Sequence, residues 1–255
     1  MTVRVLTLLF LMSLCSCSSL QRLAKAAPAK PSAFLAHGAE LKKTLADRSP
    51  FLLEWRNAAP EVRKAAEKRV TLHVAPVSLD YLRPMTQPLS RVEVRERSRQ
   101  REARKLADYA RQQFIQALRE LPQSRYQLVD EPTKDSLRLE LALIELNPNA
   151  ISAGVTRRVI NLIAVPGAES IVGRPLKGNL AMEGRVYDPI QKQSLYEFSD
   201  AEHNRSALIL SVHDYNPYSY ARKIIREWAG QLALVLNSPE GAKVKDSPAF
   251  TLGLW

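Results

Sequence analysis

Leu137, Leu139, Leu141 and Leu143 stand at every second position, separated by Arg138, Glu140 and Ala142. A period of two puts all four leucines on one side of an extended chain, so residues 136–146 are predicted to form a strand with one face in a core. This pattern commits the chain to a sheet that something must cover. Leu180, Met182, Gly184 and Val186 repeat the alternation and run into Tyr187-Asp188-Pro189. The spacing predicts a hairpin over 179–201, with 188–193 as its connection. The cover is written in two amphipathic stripes. Ala103, Leu106, Ala107, Ala110, Phe114, Ala117, Leu118 and Leu121 recur at intervals of one to four residues, in a helix that begins near residue 92 and stops at Pro122. Ala221, Ile224, Ile225, Trp228, Leu232, Val235 and Leu236 mark a second helix over 218–236. Shorter signals predict strands at 70–74 and 126–129, helices at 61–68 and 156–165, and an edge strand at 249–255. Residues 34–67 otherwise read as short turns or helices packed on the main domain. Together these elements define an α+β fold. It is a two-layer sandwich with a mostly antiparallel sheet of about five strands, covered on one face by two long helices.

The N-terminus sets the compartment. Arg4 precedes a run of ten residues, 5–14, that is almost wholly apolar. As a helix the run would span about 15 Å, half of the roughly 30 Å hydrocarbon layer, which suits an export leader and not a membrane span. Leu14-Cys15-Ser16-Cys17 resembles the lipobox of bacterial lipoproteins. The resemblance implies cleavage before Cys17 and a diacylglyceryl group on its sulfur. Cys15 fits less well, because Leu14 would occupy a position that needs a small residue. The expected organisation is a leader over 1–16, a flexible lipid-anchored tether over 17–33, a single periplasmic domain over 34–238 and a tail over 239–255. Ser18, where enteric inner-membrane lipoproteins carry Asp, implies the outer membrane, facing the periplasm. The chain has two cysteines. Cleavage removes Cys15 and lipid consumes Cys17, so no thiol remains for a disulfide, a zinc site or a nucleophile.

The net charge of +11 falls to +10 once Arg4 leaves with the leader. Such a balance attracts anionic partners, and in an exported protein these are lipid headgroups or acidic envelope proteins and not nucleic acid. Residues 91–111 hold eight basic and four acidic side chains. Arg97, Arg101, Arg104 and Lys105 share a region at helical spacing. They read either as a solvated outer face or as a docking surface for phosphate-rich lipid or an acidic partner. Tyr215 and Tyr218, in the aromatic run before the last helix, are candidate contacts or core residues. The four histidines, His37, His73, His203 and His213, show no metal spacing, and no cofactor is expected. His213-Asp214 suggests a base and its orienter, which keeps a Ser/His envelope hydrolase as the alternative, although no G-x-S-x-G elbow exists. Asp200 and Glu202 are read as a solvated pair at a strand end. The expected role is therefore a non-catalytic interaction or accessory module of the cell envelope.

Several short segments resemble a bacterial lipoprotein family catalogued as domain of unknown function 3313. They are Phe34-Leu35 with Leu41-Lys42, Val74-Ala75-Pro76-Val77, and Glu183-Gly184-Arg185-Val186-Tyr187-Asp188 with Phe198-Ser199-Asp200. The last is Tyr220-Ala221-Arg222 leading to Glu227-Trp228-Ala229. At the hairpin turn that pattern has Asp-x-x-Thr-Gly, and this chain has Asp188-Pro189-Ile190-Gln191-Lys192. The resemblance implies an envelope location and carries no catalytic residues.

Overall fold

The computed structural model describes residues 25–84, 96–148, 178–204, 218–239 and 241–246. In chain order the elements are a 3-10 turn Gly38–Glu40, β1 Lys42–Lys43, β2 Leu53–Arg56, α1 Pro60–Glu67, β3 Thr71–Val74 and α2 Glu96–Glu120. They continue with β4 Gln127–Val129, β5 Leu137–Asn147, β6 Asn179–Asp188, β7 Gln193–His203 and α3 Ser219–Asn237. The segments expected at 156–165 and 249–255 lie outside the described residues.

The seven strands form one mixed sheet in the order β1-β2-β7-β6-β5-β3-β4. The expected sheet of about five strands, mostly antiparallel, differs from this one in two respects. First, β1 and β2 join the sheet at its β7 edge, through Lys42 opposite Glu54 and Leu53 opposite Ser199. Second, β3 pairs in parallel with both β4 and β5. The connection from β3 to β4 contains α2, and a helix-length crossover is what parallel neighbours need. From β5 through β6, β7 and β2 the pairing is antiparallel.

The alternation reads out as expected on the helix side of the sheet. Leu137, Leu139, Leu141 and Leu143 of β5, Leu180, Met182 and Val186 of β6, and Phe198 of β7 are all buried with Phe114 and Leu118 of α2 and Ile225, Trp228 and Leu232 of α3. Ile144, like Ala142, faces the other side by alternation, and a bulge between Leu143 and Glu145 then shifts the register so that Leu146 returns to the helix side. Gly184 is required by close approach: a Cβ there would lie 2.3 Å from Phe198 Cε1. At the hairpin turn Asp188 Oδ1 accepts from the Ile190 and Gln191 amides at 2.8 and 3.2 Å. Lys192 adopts φ +53°.

The opposite face is covered too, and by a segment expected to be a free tether. Ala26, Phe34 and Leu35 bury against Leu52, Leu53, Ala142, Ile144, Ala181 and Ala201. The Ala26 amide donates to Ala201 O at 2.9 Å, and Lys25 bridges Glu202 as one more rung beside β7. Residues 25–37 therefore act as a strap that starts at the sheet edge and crosses the face away from the helices. The helix-covered two-layer description holds for one side only.

Candidate functional site

Asp200 and Glu202 alternate on β7, so both side chains point to the helix side next to Phe198. They are 1 % and 0 % exposed, which corrects the expectation of a solvated pair. Their partner comes from the far end of the chain. Lys25 Nζ donates to Asp200 Oδ2, to Glu202 Oε1 at 2.9 Å and to the Pro50 carbonyl at 2.8 Å. Asp246 Oδ1 lies 3.4 Å from the same ammonium. Trp228 of α3 donates its indole N–H toward Asp200 Oδ2 at 2.6 Å, with Glu202 Oε1 at 3.1 Å. The Leu52 amide donates to Asp200 Oδ1 at 3.1 Å. One lysine thereby ties the N-terminal strap, the β2 approach, β7, α3 and the C-terminal segment at a single buried point.

Burial pushes the Asp200 carboxyl up; Lys25 pulls it partly back, Glu202 and Asp246 push again, and the result is about 6. For Lys25 burial acts downward, and the coulombic pull of Asp200, Glu202 and Asp246 more than reverses it, so the ammonium is held above its ordinary value. Buried charges of this kind persist only when paired, and the pairing here is nearly complete.

Two further carboxylates grip the strap on the other face. Glu183 of β6 accepts from the Ser32 amide at 2.9 Å and from the Ser32 hydroxyl at 2.5 Å. Burial raises its pKa, and the Ser32 hydrogen bonds act against that. Glu197 of β7 accepts from the His37 amide at 2.9 Å and meets His37 Nδ1 at 3.1 Å. The His37 ring stacks on Trp55 with centroids 3.6 Å apart. Arg185 reaches Glu140 Oε2 at 2.7 Å, donates to the Phe34 carbonyl at 3.1 Å and lies over the Phe34 ring. Arg83 pairs with Glu145 and donates to the Lys30 carbonyl. These groups hold chain against chain. Glu183, Glu197, Asp200 and Glu202 are enclosed, so they work as a structural lock and not as a surface that meets a solute.

The sequence-derived surface set divides. Arg97, Arg101, Arg104 and Lys105 all lie exposed on the outer side of α2. Lys105 pairs with Glu102 at 2.9 Å, an exposed pair of small energetic weight. Tyr218 is corrected: at 2 % exposure it belongs to the main core and not to a docking surface. Cys17, Tyr215 and His213 lie outside the described residues. His73 is buried, with Nδ1 3.2 Å from the Val129 carbonyl. Among the described residues no group of His, Cys, Asp and Glu is arranged to hold a metal, and no helix is long and apolar enough to cross a membrane. Sequence reasoning missed Lys25, because nothing local marks a lysine whose partner sits 175 positions away.

The fold and the strap define an α+β domain with a helix layer on one face of a mixed sheet and its own N-terminal segment on the other. The chain belongs to the family described as protein of unknown function (DUF3313), whose model matches residues 30–232. Among solved structures it is similar to a PelC dodecamer from Paraburkholderia phytofirmans, with 10 % identity and a TM-score of 0.36, over 73 % of this chain and 98 % of that one. A neuraminyllactose-binding hemagglutinin homolog from Helicobacter pylori is similar at 9 % identity and a TM-score of 0.30, over 67 % of this chain and 82 % of that one. No curated protein matches the chain.

Proposed function

We propose that the protein is a lipid-anchored lipoprotein of the outer membrane, facing the periplasm, that serves as a non-catalytic interaction or accessory module of the envelope. The observation that carries this reading is the strap. Lys25, eight residues after Cys17, is locked beside β7 by its bridge to Glu202 and its ion pairs with Asp200 and Glu202. A lipid on Cys17 would then hold a body whose N-terminal end is fixed, and not one that trails on a long leash. The buried carboxylates support a binding role over an enzymatic one, because each is engaged in holding the strap or α3. The exposed basic residues of α2 supply the contact surface for an anionic lipid or an acidic envelope protein, with no cofactor required.

The test is Cys17→Ala. Cells expressing the wild-type chain should incorporate a clickable palmitate analogue into it and retain it in membranes washed with high salt. The variant should take up no label and leave the membrane fraction or accumulate as precursor. A variant that is still labelled, or a wild-type chain that is not, overturns the lipid assignment.

A further inference from the structure

Two observations on different parts of the molecule bear on the outer side of the helix layer: the first marks that face, and the second limits how far it can stand from an N-terminal anchor. The first is charge. Arg97, Arg101, Arg104 and Lys105 lie on one side of α2 at a helical rotation of about 100° per residue, with Asp108 and Gln112 following on the same side. Arg222, Lys223 and Arg226 of α3 are also exposed. The two rows meet at Tyr109, whose ring lies 4.8 Å below the Arg222 guanidinium and whose hydroxyl is 3.3 Å from Arg226 Nη2. Together α2 and α3 carry ten basic and five acidic residues. The large apolar side chain exposed on these helices is Leu234, at 46 %.

The second observation is the position of Lys25. The Lys25 side chain lies on the helix side of the sheet, against Asp200, Glu202 and the Trp228 side chain of α3. Seven residues separate it from Cys17. Eight Cα steps span at most about 28 Å, so a lipid on Cys17 holds the bilayer surface within that distance of Lys25; this reach allows the helix layer to meet the bilayer, and the charge selects the face.

We propose that the outer face of α2 and α3 docks on an anionic phospholipid surface, so that the protein lies on its membrane with the helix layer down and the strap face toward the periplasm. This rests in part on the lipid-anchor reading above, which supplies the proximity, while the charge pattern stands on its own. The face favours a lipid over a protein partner. A protein interface needs a desolvated core with aromatic or aliphatic anchors, and these helices expose long cationic side chains and one large apolar one, Leu234, about two turns beyond Arg226. Headgroup attraction needs only charge near the surface, each basic residue strengthening it by about fivefold.

The experiment reads which face meets the bilayer. A fluorophore on a non-natural side chain replaces Gln112, exposed on α2, or in a second sample Ala36, exposed on the strap. Each full chain is mixed with vesicles that carry a headgroup quencher, made of phosphatidylcholine alone or with phosphatidylglycerol. The expected result is stronger quenching at Gln112 than at Ala36 on the anionic vesicles. The contrast should be absent on phosphatidylcholine and abolished near 0.5 M salt, where the Debye length falls to about 4 Å. In R97Q/R101Q/R104Q the lipid concentration for half-quenching at Gln112 should rise by about 100-fold. R222Q/R226Q should shift it in the same direction. Equal quenching at the two positions, or no shift in the triple variant, overturns the proposal. No response at Gln112 to anionic vesicles also overturns it and leaves an acidic protein as the occupant. Absent insertion into phosphatidylcholine with a retained anionic response at Gln112 would instead refute the Cys17 anchor and leave the docking face standing.

Discussion

Replacing Lys25 by Met tests the lock directly, because methionine keeps the length of the lysine stem and removes its charge. Asp200, Glu202 and Asp246 would then share a buried site with no cation, at side-chain exposures of 0 % each. Removing one partner of a buried ion pair costs about 3–5 kcal/mol, and that is the expected loss at pH 8. The pH dependence follows from Asp200, whose carboxyl is pushed by burial to about 6 from an ordinary 3.8. A carboxyl raised by folding contributes stability that is complete below its unfolded value and lost as pH rises through the folded one. The gap corresponds to about 3 kcal/mol between pH 4 and pH 7. Without Lys25 the attraction that holds Asp200 down disappears, so the carboxyl protonates at still higher pH. The deficit of the variant should therefore be largest at pH 8 and shrink toward pH 5. Urea unfolding followed by tryptophan fluorescence at the two pH values measures it, with Lys30→Met, at an exposed strap position, as the control. A deficit below about 1 kcal/mol at pH 8, or equal deficits at both pH values, would refute the reasoning.

Other perturbations probe single contacts. Ser32→Ala removes the hydroxyl that serves Glu183 and should cost about 1–2 kcal/mol, with faster hydrogen exchange across the strap in mass spectrometry while the β5–β6 ladder stays protected. Gly184→Ala drives a methyl into the Phe198 ring and should cost about 1–3 kcal/mol or more, with a changed near-ultraviolet circular dichroism spectrum. Lys192→Gly relieves the positive φ at the hairpin and should raise stability by up to about 1 kcal/mol in denaturant unfolding; a loss would show that the Lys192 side chain has a stabilising role of its own.

The helix side of the sheet was legible because its information is local. The β5 leucines, the β6 alternation and the stripes of α2 and α3 each repeat within a few turns or residues, and each lands on the predicted face. The β2 strand was not, since four residues between Pro50 and Pro60 are too few for a period to declare itself. The strap was misread for a related reason. Its Ala, Pro, Lys and Ser composition is that of a linker, and its order comes from Glu183, Glu197, Asp200 and Glu202, more than 140 positions downstream. For the same reason Asp200 and Glu202 read as solvent-facing: a buried carboxylate is tolerated only beside its cation, and the sequence neighbourhood does not contain it. The basic residues of α2 were placed correctly because exposure follows from the same helical period that buries Phe114 and Leu118.

Among the described residues one margin of the sheet is β1, which is two residues long and consists of Lys42 and Lys43, both exposed. An open strand margin invites copies of a protein to zip together. Two adjacent ammonium groups on so short a margin repel an identical neighbour before backbone pairing can start. The same pair keeps this margin from templating a stack of copies.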